Sequence, residues 1–137
     1  MAEDCIFCKI IEGEVPAYKL YEDELVVSFL DIFPIHPGHA LVVPKKHTVD
    51  IFDTDEETIK QMMAVAKKLA LPVMNGTKAQ GINIGMNNKP AAGQEVFHAH
   101  MHIIPRYSDD GLKTWSKNLF KDDKHKQELY EVIKKAL

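Results

Sequence analysis

Three histidines stand at alternate positions, His98, His100 and His102, within the run FHAHMHIIPR at 97–106. The residues around them, Phe97, Ala99, Met101 and Ile103, are apolar. Alternation with period two describes a strand with two unlike faces, on which every second residue returns about 6.6 Å further along. The three imidazoles therefore line one surface, and Ala99, Met101 and Ile103 enter a core. The chain holds seven histidines in 137 residues, so three within five exceeds background. A strand merely rich in surface histidine is the plain alternative. A tag does not fit, because tags sit at termini and lack alternating apolar partners. Three chemistries suit such a row: metal binding by two or three rings, nucleophilic catalysis with one ring attacking while its neighbours hold charge, and proton sensing.

Charge favours the second. An isolated imidazole has a pKa of about 6.5, so roughly a quarter is protonated at pH 7. Three on one face disfavour one another's protonation. One ring stays neutral and nucleophilic while another can carry a proton, which suits attack on an anionic phosphorus centre. The preceding loop, with Asn87, Asn88, Gly93 and Gln94, offers amides and flexible backbone of the kind that forms an anion-binding nest. Lys89 and the pair Lys45-Lys46 could add positive charge, although exposed lysines commonly serve only as solvated surface. Two cysteines, Cys5 and Cys8, are spaced C-x-x-C. At i and i+3 of a short helix both thiols share a face. In a cytosolic chain metal binding or redox chemistry is the better reading than a structural disulfide. A thioredoxin-like pair would follow a strand, and none precedes it here. Two plain core thiols remain the bland option.

Composition sets the frame for these residues. Hydrophobic content of 45% and charged content of 27% are those of an ordinary globular domain, and 137 residues suffice for one domain with a core. Net charge is −3 with both signs interspersed, which does not describe an electrostatic nucleic-acid binder. No run approaches the ~18 apolar residues of a membrane span. The opening Met1-Ala2-Glu3-Asp4 is acidic and unlike a secretory signal. A cytoplasmic protein with neither a nucleic-acid nor a membrane partner is expected.

The elements that must position the site follow from pattern. Asp4 caps a short helix over 5–11, ended by Gly13 and Pro16. Strands are expected at 18–22 and 25–32 with a turn at Asp23-Glu24, then a loop at 33–38 and a strand at 41–43 closed by Pro44. Thr54 to Glu57 reads as a capping box opening a helix whose core face is Ile59, Met62, Met63, Ala66 and Leu69. Pro72 should end or kink it, and Asn75-Gly76 should stop it. A strand at 81–86 and the polar loop 87–94 lead into the histidine strand. A last helix over 124–137 is expected to bury Leu129, Val132, Ile133 and Leu137. The order α-β-β-β-α-β-β-α predicts an α+β fold with a mainly antiparallel sheet.

The pattern His98-x-His100-x-His102 resembles the histidine triad (HIT) superfamily of nucleotide hydrolases and transferases. The segments CIFCKII at 5–11, FLDI at 29–32, PGH at 37–39, VPKKH at 43–47 and GQ at 93–94 are similar to family segments in family order. The likeness covers about residues 4–106 of a single domain, with 107–137 as a C-terminal extension. It is nearest to the Hint-like branch in its prokaryotic form with an N-terminal C-x-x-C. The resemblance implies a five-stranded antiparallel sheet with helices, paired into a two-fold homodimer. It implies cleavage at the α-phosphorus of a purine nucleotide, usually AMP-type, from an amine, a phosphate chain or a second nucleotide. By that likeness His100 attacks and forms a nucleotidyl-histidine that water hydrolyses. His102 would hydrogen-bond phosphate oxygens. Asn87 and Gln94, beside Gly93, would hold the phosphate and leaving-group side. Asp31 would accept from the ribose hydroxyls, and Phe29, Leu30 and Ile32 would line the base pocket.

Two departures matter. Many Hint-like members carry Ser or Thr where this chain has Glu95, a carboxylate that would repel polyphosphate and favour amines, or else simply face solvent. Cys5 and Cys8 are absent from many members. With His47 and His98 they resemble a closed tetrahedral structural zinc site, which would hold His98 as an orienter and leave His100 to attack. His39 reads as a packed core or supporting histidine, and His36 and His125 as surface residues. The C-terminal segment with Trp115 would either reach a partner subunit's site or pack on its own core. Two competing readings stay open: a zinc-containing nucleotide-binding interaction protein with little turnover, and a metalloenzyme ligated by His98, His100 and His102.

Overall fold

In the computed structural model, which describes residues 4–113 and 115–137, five strands form one antiparallel sheet: β1 (Lys19–Glu22), β2 (Val26–Leu30), β3 (Ala40–Pro44), β4 (Gly81–Gly85) and β5 (Met101–Arg106), in the order β1-β2-β3-β5-β4. Three helices complete it: α1 (Ile6–Ile11), α2 (Glu56–Thr77) and α3 (Asp123–Lys135), with one 3₁₀ turn at Pro90–Ala92. The expected order and fold class are those observed. No helix among the described residues is long and apolar enough to cross a membrane.

The two faces of the sheet are covered by different helices, which explains why β2 and β3 are almost continuous apolar runs. On one face Val26, Ala40, Val42, Met101 and Ile103 pack with Met62, Val65, Ala66 and Val73 of α2. On the other Val27, Phe29, Leu41 and Val43 pack with Phe7 and Ile10 of α1. Met101 and Ile103 point toward α2, so the alternate positions of the same segment turn toward α1.

Several local expectations are corrected. β5 starts at Met101, not at Phe97. Upstream of it Ala99 N donates to Thr48 O (2.7 Å), so His98 and His100 come from an extended segment that has left β3 for the loop beyond it. Helix α1 is capped by Cys5 rather than Asp4, through a sulfur that accepts from Cys8 N. Asp55, not Thr54, caps α2, its carboxylate accepting from Thr58 N; the Thr54 hydroxyl instead donates to Asp50 O. Helix α2 runs through Pro72 and past Gly76 to a left-handed Lys78. Pro72 and its neighbour Leu71 lie on the solvent side, where water can reach a carbonyl left without its N–H partner. Met63 is exposed, and the core positions are Met62, Val65 and Ala66. No residue of α3 is buried; its apolar side chains face outward.

Gly38 holds a close approach. Its φ is +97°, and a Cβ there would collide with the Thr77 methyl at the end of α2. Only glycine fits both the backbone and the contact. This sets the loop 31–38 against the sheet beside the site.

Candidate active site and metal centre

Phe29, Leu41 and His102 are paired across β2, β3 and β5 and form one row on the α1 face. The row floors a cavity of about 400 Å³, a size typical of small-molecule sites. Ile6, Phe7 and Ile10 of α1 make one wall. Leu30, Asp31, Ile32 and the loop residues Phe33 and Ile35 make another. Asn87, Gly93 and Glu95 border it at the 87–95 loop, and His39, His100 and His102 border it from the sheet.

The hydrogen bonds fix which nitrogen of each ring bears the proton. His100 Nδ1 lies 2.6 Å from the carbonyl oxygen of His98. A carbonyl only accepts, so Nδ1 carries the hydrogen and Nε2 holds a free lone pair. Ile35 N donates to His39 Nδ1 (3.1 Å), which puts the hydrogen of His39 on Nε2. That Nε2 lies 2.9 Å from His102 Nδ1 and donates to it, leaving His102 with its hydrogen on Nε2. The site thus pairs one bare nitrogen, on His100, with one N–H donor, on His102. The two rings pack at 4.9 Å between centroids.

Burial keeps these rings neutral. It pushes the pKa of His102 down to about 4, with His100 and His39 adding to the fall. It lowers that of His100 as well, against the bond to the His98 carbonyl and the charge of Asp31. His39 is also lowered by burial, opposed by Asp31, so its 3.8 Å approach to Asp31 Oδ2 is not an ion pair at neutral pH.

His98 faces the other way. Its Nε2 donates to Pro44 O (2.8 Å), leaving Nδ1 unprotonated. That nitrogen lies 3.3 Å from Cys5 Sγ, 3.6 Å from Cys8 Sγ and 3.1 Å from His47 Nδ1. Cys8 Sγ is 3.2 Å from His47 Nδ1, and all four atoms lie within 4.8 Å of one another. Ligands bonded at about 2.0–2.3 Å to one tetrahedral ion stand roughly 3.3–3.8 Å apart. Two thiols and two imidazoles converging at that spacing fit a zinc ion. Asp31, His39 and His102 also converge, but there a proton already lies between the two rings and satisfies both without an ion.

A family model described as the HIT domain matches residues 12–109. The chain belongs to the HIT family. An uncharacterized HIT-like protein of Borreliella burgdorferi is 49% identical over 111 residues, 80% of each chain. A histidine triad nucleotide-binding protein from Candida albicans superposes with TM-score 0.86 at 34% identity, covering 97% of this chain and 96% of that one. A Zn-bound histidine triad family protein from Mycobacterium smegmatis superposes with TM-score 0.75 at 38% identity, covering 98% of each. The HIT family includes nucleotide-binding proteins and nucleotide hydrolases.

Of the residues expected in the HIT site, Phe29, Leu30, Asp31, Ile32, Asn87, Gly93, Glu95, His100 and His102 all border the cavity. Gln94 does not. Its side chain is buried, its oxygen accepting from Lys89 N and its nitrogen donating to Val49 O and Val96 O, so it staples the loop. The expected backbone nest is not open either. The N–H groups of Lys89, Ala92, Gly93 and Gln94 are bonded within the loop, and Asn88 Oδ1 accepts from Ile51 N. Lys89 pairs with Asp50 (2.7 Å) and Lys45 with Glu22 (3.0 Å). His36, expected at the surface, packs on Tyr107 and binds Asp110 (3.3 Å), which also holds Arg106. Pattern reading missed α1 as a cavity wall, although Ile6, Phe7 and Ile10 share one side of that short helix. His39, read as a packed core or supporting histidine, is buried and bonds His102, and the structure adds that it orients that ring.

Proposed function

We propose that this HIT protein hydrolyses purine nucleoside 5′-phosphoramidates or dinucleoside polyphosphates at the α-phosphorus through a covalent nucleotidyl-histidine on His100. The observation that carries the reading is the bond from His100 Nδ1 to the His98 carbonyl, which leaves Nε2 unprotonated beside a cavity of nucleotide size. In this reading the base lies between α1 and Phe29, Leu30 and Ile32, and Asp31 takes the ribose hydroxyls. Asn87 and the Nε2–H of His102 meet the phosphate oxygens. His100 Nε2 bonds to phosphorus as the leaving group departs. Water then cleaves the phosphorus–nitrogen bond and frees the nucleoside monophosphate and His100.

The reading includes a zinc ion held by Cys5, Cys8, His47 and His98, supported by their spacing and by the zinc in the mycobacterial relative. Such an ion would supply structural cross-linking of α1 to the histidine segment rather than chemistry at phosphorus. It also includes the cytoplasm, where the thiols stay reduced, one HIT domain over the chain, and a homodimer. The unpaired edge of β4, with Ile84, and the exposed Met63 and Leu71 of α2 support the dimer.

His100→Ala tests the central claim. Turnover of an adenosine phosphoramidate is expected to fall by about 10⁴-fold or more, by analogy with loss of other nucleophiles, while AMP binding persists. Turnover surviving in that variant would remove His100 as the nucleophile. A wild type that binds AMP without turning over any substrate would favour the nucleotide-binding interaction protein.

A further inference from the structure

The charged residues bordering the cavity are all of one sign. They are Asp31 and Glu95, with no lysine or arginine among the lining residues. Lys89, in the neighbouring loop, is engaged by Asp50 at 2.7 Å and lies over the Phe52 ring. Glu95 is exposed and makes no hydrogen bond or ion pair among the described residues. Its carboxylate therefore has no structural partner to satisfy. A leaving group of two or more phosphates would bring added negative charge past it with nothing to neutralise that charge, whereas a cation would find an unpaired partner.

We infer that Glu95 is a specificity-determining residue that reads a positive charge on the leaving group. The substrate class it selects is a nucleoside 5′-phosphoramidate whose amine carries a second, remote ammonium, as in a mono-adenylylated diamine. The inference rests on the hydrolase reading above. With the nucleoside in the apolar end of the cavity, against α1 and Phe29, the leaving group is the part of the substrate free to extend toward Glu95. The step balances as a hydrolysis. The phosphorus–nitrogen bond of the substrate breaks as the bond to His100 Nε2 forms. The amine nitrogen leaves with the bonding pair and takes a proton from water. The hydroxide so formed then attacks phosphorus and breaks the bond to His100, whose Nε2 regains its lone pair as the monophosphate is released. The remote ammonium keeps its charge throughout.

The test compares kcat/KM for three adenosine 5′-phosphoramidates of matched length: N-(3-aminopropyl), N-(3-hydroxypropyl) and N-(2-carboxyethyl). Each is measured with wild type, Glu95→Gln and Glu95→Lys. Wild type should prefer the cationic over the neutral substrate by about three- to fivefold, the scale of an exposed ion pair, and should disfavour the anionic one. The preference should shrink when salt rises toward 1 M. Glu95→Gln should flatten the series, and Glu95→Lys should invert it. Equal kcat/KM across the series in wild type, or a cationic preference that survives Glu95→Gln, would overturn the assignment while leaving the hydrolase reading intact. Failure of the wild type to turn over any of the three, or a diadenosine polyphosphate assayed beside them, would overturn both.

Discussion

His98 acts through two different atoms. Its ring nitrogen Nδ1 joins the cysteine cluster, and its backbone oxygen takes the hydrogen of His100 Nδ1. One residue thereby links the cysteine–histidine cluster to the orientation of the proposed nucleophile. His39 plays the matching part for His102, relaying a tautomer set by the Ile35 backbone N–H. His39→Ala should therefore lower kcat by about 10- to 100-fold with little change in KM. Nitrogen NMR of His102 should show its Nδ1 losing the signature of a hydrogen-bond acceptor. An unchanged spectrum would mean that His39 only fills space. The buried rings also set a pH response. The model-peptide imidazole titrates near 6.5 and folded His102 near 4, so between these values the unfolded chain binds more protons. Thermal stability should fall as pH drops through that window, and His102→Gln should flatten the fall. Because burial lowers His100 too, the acid limb of kcat/KM should lie below 6.5. The alternating histidines themselves were plain in the sequence. The His98 carbonyl that sets the His100 tautomer lies within the run, but the Ile35 amide and the Pro44 oxygen lie elsewhere in the chain, and no spacing rule reports any of these bonds.

At the scale of elements, α1 is the hinge of the design. Six residues are too few for a helix to persist alone. It is held by burial of Phe7, Cys8 and Ile10 and by the cluster at its N-terminal end. The Phe7 ring stands edge-on to Phe29 (5.5 Å), His98 (5.8 Å) and His100 (5.2 Å), so the same helix braces the cysteine–histidine cluster and walls the cavity. Cys8→Ser should abolish stoichiometric zinc in elemental analysis and lower Tm by on the order of 10 °C, because metal binding energy is folding energy. It should also weaken AMP binding several-fold as the wall loosens. Retained zinc with unchanged Tm would show that the four side chains converge for packing alone. The amphipathic pattern of α3 was legible too, but the face it presents meets no core in the protomer: Leu129, Val132 and Ile133 are exposed.

At the scale of the whole molecule, large apolar side chains are exposed on the edge strand and on two helices, and these are the surfaces the proposed homodimer would use. Ile84 on the edge strand and Met63 and Leu71 on α2 are among them, as are the outward side chains of α3. Sedimentation equilibrium is expected to give twice the 15.5 kDa chain mass. A monomer persisting at high micromolar concentration would sink the homodimer. Replacing Ile84 and Leu71 together by Glu should shift the equilibrium toward monomer without unfolding the sheet, whose core lies elsewhere.

The sequence by itself determined the chemical inventory and the order of elements. Period-two alternation, the C-x-x-C pair and the strand and helix patterns are local properties, set by which side chains neighbours along the chain can turn to one face. The tertiary structure alone decided what those faces meet. It brought Cys5 and Cys8 to His98 across separations of 93 and 90 positions, turned the Gln94 amide into a loop staple, and left α3 unburied. It also made the three histidines unequal: one toward the metal cluster, one with a free lone pair at the cavity, one with an N–H beside it. Hydrogen-bond partnership depends on contacts between distant segments, and periodicity carries no record of them.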